Sequence, residues 1–179
     1  KATEELEQYE PKPCQISVYL DRQNQAVTAK AVCSYGENQY NIMETITVSE
    51  MHRDFEKEYG LAAILKSLFP LSDPAQGLYI LPEEDEDKVY GLICEGIPLL
   101  QQKGEVFVSD SLKRIRIVEA PNIQVGITMK AGLLEVDLKT EQIPLEEIEG
   151  ILQGYRRKRK FYRLPDGTFL RLEDGGLSA

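Results

Sequence analysis

Ile16, Val18 and Leu20 alternate with Gln15, Ser17 and Tyr19, the two-residue period of a strand with one buried face. Asp21 to Gln25 reads as a turn, after which Val27, Ala29, Ala31 and Cys33 continue the alternation. Gly36-Glu37-Asn38 turns the chain again, and Tyr40 with Ile42 shares one face of a third strand, so the opening predicts an antiparallel meander. From Ser49, an expected N-cap, Met51, Phe55, Tyr59, Ala62, Leu65 and Phe69 follow helical spacing up to Pro70, with Gly60 as a point where the helix can divide.

Leu78 to Leu81 is a short apolar strand. Pro82 is then expected to open a second helix whose first turns hold Glu83, Glu84, Asp85, Glu86 and Asp87, with Val89, Leu92, Ile93, Ile97 and Leu100 on its apolar side. Glu105 to Val108 is a further strand, so a parallel pair joined by a helical crossover is predicted over 78–108. Ser111 to Val118 fits a short helix or a strand equally well. Ile123, Val125, Ile127 and Met129 face one way, Ala131-Gly132 turns, and Leu134, Val136 and Leu138 face back, the pattern of a hairpin.

The last stretch, Pro144 to Asp174, predicts a helix to Tyr155 and then a hairpin over Phe161 to Leu172. Leu145, Ile148, Ile151, Leu152 and Tyr155 form the helix's apolar stripe, and Pro165-Asp166-Gly167 supplies the residues of a tight turn. Together these elements predict an α+β fold: antiparallel hairpins plus a strand-helix-strand unit, packed with about three helices. The expected organisation is a polar lead-in (1–13), an acidic α+β part (14–110) and a hairpin-helix-hairpin part (111–179), as one domain or two closely packed subdomains.

A chain of 179 residues is long enough to bury roughly 70% of its unfolded surface without disulfides. Cys14, Cys33 and Cys94 lack C-x-x-C spacing, and with His52 as the only histidine they make no local zinc motif. A reducing, cytoplasmic setting is the expectation. No apolar run is long enough to span a membrane. The chain starts at Lys1 within a polar stretch and is read as a piece of a longer protein.

The net charge of -9 argues against an all-round nucleic-acid surface, but it is unevenly spread. Residues 1–110 hold 9 Lys/Arg against 20 Asp/Glu, whereas residues 111–179 hold 12 against 10. Half of the latter's cations, Arg156, Arg157, Lys158, Arg159, Lys160 and Arg163, fall within eight residues, so any polyanion contact is expected there. Phe161 and Tyr162 lie among them, as base-stacking rings or as hairpin core; the cations in turn serve a phosphate backbone or salt bridges to acids. Lys113, Arg114 and Arg116 are a second, smaller group.

Other chemistry is not signalled. No phosphate-binding glycine loop and no G-x-S-x-G elbow is present. His52 reads as a surface or capping residue, and Glu83 to Asp87, like Glu135 with Asp137, as solvated acids without calcium-loop spacing.

The string Gly150-Ile-Leu-Gln-Gly-Tyr-Arg-Arg-Lys-Arg-Lys-Phe-Tyr-Arg-Leu-Pro-Asp-Gly-Thr-Phe-Leu-Arg-Leu-Glu-Asp174 resembles the end of the bacterial Swi/Snf (sucrose-nonfermenting-two) helicase-associated domain. Val18 to Asp21, Tyr35 to Glu37, Arg53 to Glu58, Val106 to Ser109, Val125-Gly126 and Gly132 to Asp137 extend the resemblance over nearly the whole chain. The resemblance implies a parent that is a DNA-stimulated, ATP-driven translocase, this piece lying before its two motor lobes and a zinc-binding domain often earlier still. ATP and magnesium are then expected only in the motor, and no cofactor, metal ligand or catalytic residue in this piece. The expected role is a non-catalytic accessory domain assisting DNA engagement through Arg156 to Arg163, with Lys113, Arg114 and Arg116. The alternative is an interaction or autoregulatory module that docks on the motor lobes or on another protein. No membrane partner is expected.

Overall fold

The computed structural model describes residues 12–44, 53–120, 124–130, 133–139 and 143–173, the two segments within 121–142 by their backbone alone. The chain divides into two compact units, Lys1–Arg114 and Ile115–Ala179, each described by itself. It is an α+β protein with four helices among the described residues, here α1 to α4, and sheets that mix antiparallel hairpins with parallel pairs.

The first unit is built on a long hairpin, β1 (Gln15–Gln23) and β2 (Ala26–Tyr35), paired in unbroken register from Gln15↔Ser34 to Gln23↔Ala26. Asn24 and Gln25 make the two-residue turn, both with positive φ (52° and 59°), as a turn matched to the strand twist requires. β3 (Asn38–Asn41) folds back on the far half of β2, and β4 (Leu71–Asp73) with β5 (Leu78–Pro82) pairs on its near half. β6 (Glu105–Val108) runs parallel to β1 at the edge, giving the order β4-β5-β2-β1-β6. Alternation then decides the faces. Ile16, Val18, Leu20, Val27, Ala29, Ala31, Cys33, Tyr79 and Leu81 are buried on one side of the sheet. Leu61 and Leu65 of α1 (Phe55–Leu68), with Val89, Leu92 and Leu100 of α2 (86–101), are among the buried helix residues of this unit.

The expected strand-helix-strand unit exists, with one correction. β5 and β6 point the same way but do not pair, because β2 and β1 lie between them. A 16-residue helix spans about 24 Å, ample to cross two strands about 4.8 Å apart, and the long hairpin already holds the centre. Pro82 does not open α2 either; it closes β5 opposite Ala26, and the helix begins at Glu86 behind Asp85. α2 carries a π-turn over Leu92–Gly96, with the Ile97 N–H reaching the Leu92 carbonyl just before Pro98, whose missing N–H unsettles the regular ladder.

α1 begins at Phe55, where Asp54 accepts from the Lys57 N–H at 3.1 Å; Gly60 does not divide it. The expected cap Ser49 and Met51 lie outside the described residues. Behind the cap, the Arg53 guanidinium grips the Glu58 carboxylate with two hydrogen bonds, of 3.0 and 2.7 Å, both residues almost wholly buried (4% and 3% exposed). The Tyr35 hydroxyl donates to the same carboxylate at 2.7 Å and accepts from the Asp54 N–H, while Arg53 lies over the Tyr40 ring at 4.3 Å. This network ties the start of α1 to β2 and β3.

Cys14 and Cys33 are buried thiols, and Cys94 is partly buried. Burial, then the neighbouring Cys14, pushes the Cys33 thiol up to about 12 from an ordinary value of 9.0. Between these two values the unfolded chain has lost a proton that the folded chain keeps, so stability falls as pH rises through that window and is unaffected below it. The urea midpoint is expected to hold level up to pH about 8 and to drop by pH about 10, less steeply in Cys33→Ala.

In the second unit, β7 (Ile117–Glu119) runs parallel to β11 (Phe169–Arg171), which pairs antiparallel with β10 (Phe161–Arg163). β8 (Gln124–Lys130) and β9 (Leu133–Lys139) form the expected hairpin. The segment that fitted helix or strand is both: α3 (Asp110–Lys113) ends the first unit and β7 follows. α4 (Leu145–Arg156) packs Ile148 and Ile151 on Ile143, Leu170 and Leu172, with Leu152 and Tyr155 beside them. Leu145 departs from the expected stripe and is 75% exposed at the helix start, where its side chain has no preceding turn to lie on.

Candidate nucleic-acid interface

The cationic stretch sits where α4 stops. Arg157 caps the helix, and the chain reverses at Lys158, whose φ of 52° is the left-handed conformation that glycine usually takes at this point. The Lys158 N–H bonds the Tyr155 carbonyl at 3.1 Å and the Arg159 N–H reaches the Gly154 carbonyl at 2.9 Å, the two crossed bonds of a Schellman cap. The tight reversal leaves Arg156, Arg157, Lys158 and Arg159 exposed around one turn, at the helix end that favours cations. Among the described residues no carboxylate lies within ion-pair distance of these four. Lys160 follows, largely exposed and 3.7 Å from Glu173.

The remaining sequence-derived candidates are placed differently. Arg163 turns inward: its guanidinium covers the Phe169 ring at 4.5 Å and its Nε donates to the Gly167 carbonyl at 3.3 Å. Phe161 is buried edge-on against Phe169, ring centres 5.0 Å apart, and so is no stacking surface. Tyr162 donates its hydroxyl to Glu147, which pushes the phenol's pKa up, and its ring fills the space over Gly150, where a Cβ would lie 2.7 Å from it. Tyr162 holds the hairpin to α4 and Phe161 packs within the hairpin, so the corner offers charge without rings.

Arg116 is exposed before β7. Its carbonyl accepts from the Phe169 N–H, and its charge helps lower the Asp166 carboxyl, whose chief support is the Thr168 N–H. It thus sits at the turn end of the three-stranded sheet. Lys160, whose carbonyl accepts from the Leu172 N–H, sits at the other, about 10 Å away along three residues of strand. Lys113 and Arg114 are exposed at the end of the first unit. Among the described residues of the second unit, the clustered cations are therefore Arg156 to Lys160.

Glu83 is not a free solvated acid, since it forms a two-pronged ion pair with Arg22. No group of His, Cys, Asp and Glu suited to a metal occurs among the described residues. His52 and the Glu135 and Asp137 side chains lie outside them. A cavity of about 360 Å³ beside α1 is lined by Glu58, Lys66, Ser72 and Tyr79, but the Glu58 carboxylate is taken up by Arg53 and Tyr35. No helix among the described residues is long and apolar enough to cross a membrane.

One surface feature escaped the sequence reading. Tyr19 and Phe107, 47% and 45% exposed, stack across β1 and β6 with ring centres 5.0 Å apart and planes at 15°. The signal was present: each is an aromatic at a polar-facing position of its strand.

No curated protein and no solved structure matches this chain. The family model described as "Bacterial SNF2 helicase associated" matches residues 1–179. A match that runs from end to end, over the hairpin-and-helix unit that carries the basic turn as well as over the acidic sheet, places the chain in the bacterial SNF2 helicase-associated family.

Proposed function

We propose that this domain does no chemistry of its own and helps its SNF2 helicase hold DNA, through phosphate contacts from Arg156, Arg157, Lys158 and Arg159 with Lys160 beside them. The observation that carries this reading is the exposed turn of four cations with no carboxylate against them among the described residues, on a chain that is otherwise acidic. Phe161 and Tyr162 are engaged within the unit, so contact is to the phosphate backbone and independent of base sequence. ATP and magnesium belong to the motor lobes of the same polypeptide, and the domain's contribution is added electrostatic grip.

Fluorescence anisotropy with a short duplex, repeated from 50 to 200 mM salt, tests this. The triple variant Arg156→Gln, Arg157→Gln, Arg159→Gln is expected to bind more weakly and to lose about 2.7 from the slope of log K against log salt, at about 0.9 per phosphate contact. An unchanged slope, or no binding by the wild-type chain at low salt, sinks the proposal. If the chain then alters the motor's ATPase rate when added in trans, docking on the motor replaces it.

A further inference from the structure

β6 is an edge strand of the first unit's sheet. β6 bonds β1 on one side only, and among the described residues no strand pairs with its other side. The Ser109 N–H bonds the Leu20 carbonyl, inward to β1, so by alternation the N–H groups of Val106 and Val108 point outward from the sheet. Exposed edges of this kind are normally blunted by proline, a bulge or a lysine. Glu105-Val-Phe-Val108 has none of these, and its one charge stands at its start.

The ring stack points the same way. Tyr19 and Phe107 stand face to face across neighbouring strands, so the outer face of Phe107 looks past the sheet edge, to where the next strand would place a ring. Backbone groups and ring face thus ask for one more strand, with an aromatic residue in register with Phe107. The chain itself meets that description.

We propose that the β6 edge is a self-association surface that takes β6 of a second copy of this chain, antiparallel about a two-fold axis at Phe107. In that register Val106 of one copy opposes Val108 of the other. These are the residues whose N–H groups point outward, so they form the hydrogen-bonded pairs. Phe107 meets Phe107 of the second copy at the closely spaced, non-hydrogen-bonded position, extending two stacked rings to four. The same axis sets the Lys103 end of one strand against the Asp110 end of the other, both exposed and opposite in charge. Such a contact is isologous and closes at two copies.

Sedimentation equilibrium of the whole 179-residue chain, from low micromolar to its solubility limit, is expected to show a concentration-dependent dimer. Phe107→Lys should associate at least about tenfold more weakly, since it places like charges opposite each other at the axis. The register has its own test. Phe107→Cys, treated with a mild copper oxidant that takes the two thiol hydrogens, should give a disulfide-linked dimer, because cross-strand Cα atoms at this position lie within disulfide reach. Glu105→Cys should give none, since it faces Ser109 of the second copy and lies about 13 Å from its own counterpart. A wild-type monomer throughout, a dimer undiminished by Phe107→Lys, or cross-linking no better at 107 than at 105 would each overturn the proposal.

Discussion

Arg53→Met is expected to destabilise the first unit by about 3–5 kcal/mol, the cost of leaving a buried carboxylate without its cation. Glu58 is 3% exposed, so water does not readily take over the two hydrogen bonds that Arg53 supplies, and among the described residues the Tyr35 hydroxyl is the donor that remains. The methionine also gives up the guanidinium's place over Tyr40. Replacing both partners, Arg53→Met with Glu58→Leu, is expected to recover most of the loss, because an apolar pair of similar volume needs no solvation. Urea unfolding of the single and double variants decides this. A single-variant cost below about 1 kcal/mol would mean that the pair behaves as an exposed one. The effect bears on organisation, since the network fixes where α1 leaves β2 and β3.

Phe169→Ala is expected to cost the second unit about 3–5 kcal/mol. Phe169 has no exposed surface, meets Phe161 edge-on and lies beneath Arg163, while its N–H joins β11 to the Arg116 carbonyl ahead of β7. Residues 115–179 are 65 in number, and a unit of that size commands only a few kcal/mol in all, so one such cavity is enough to melt it. Thermal unfolding followed by circular dichroism should lose the part of its signal that comes from α4 and the small sheet. DNA binding, on the reading proposed above, should vanish with it. The triple glutamine variant at Arg156, Arg157 and Arg159 should bind more weakly while its melting profile stays at the wild-type value, because those side chains are exposed. The two variants together separate a folded corner stripped of charge from a charged corner that no longer folds.

The basic turn explains why a local cluster matters on this molecule. Its five cations lie at the C-terminal end of α4, and Glu146, Glu147 and Glu149 lie at the other, about 15 Å away along the helix. The helix thus keeps its own acids from neutralising its own bases. Lys158 at a position that favours glycine has a local strain of about 1–2 kcal/mol, offset by the two cap bonds and the packing that follows. That reversal swings Lys160 back toward Leu172 and leaves the four preceding cations on the outside of the turn.

Much of this was legible in the residues taken alone, and the reason is range. Strand alternation in β1 and β2, the stripe of α4 and the Pro165-Asp166-Gly167 turn depend on neighbours within about four residues, whose geometry side-chain pattern encodes. The α+β class and the terminal helix and hairpin follow from that, while the concentration of positive charge and the family resemblance are read from the residues themselves. Only the tertiary structure decided which strands meet and which side chains are spent inside. β6 pairs with β1 and not with β5 because the long central hairpin offered the better partner. Glu83 found Arg22 across 61 residues, and Arg163, Phe161 and Tyr162 were drawn into the second unit by contacts with Phe169 and Glu147. Burial is a competition among partners distant in sequence, and no local period records its outcome. For the same reason Tyr19 and Phe107, each unremarkable on its own strand, became an exposed pair only when a parallel edge brought them together.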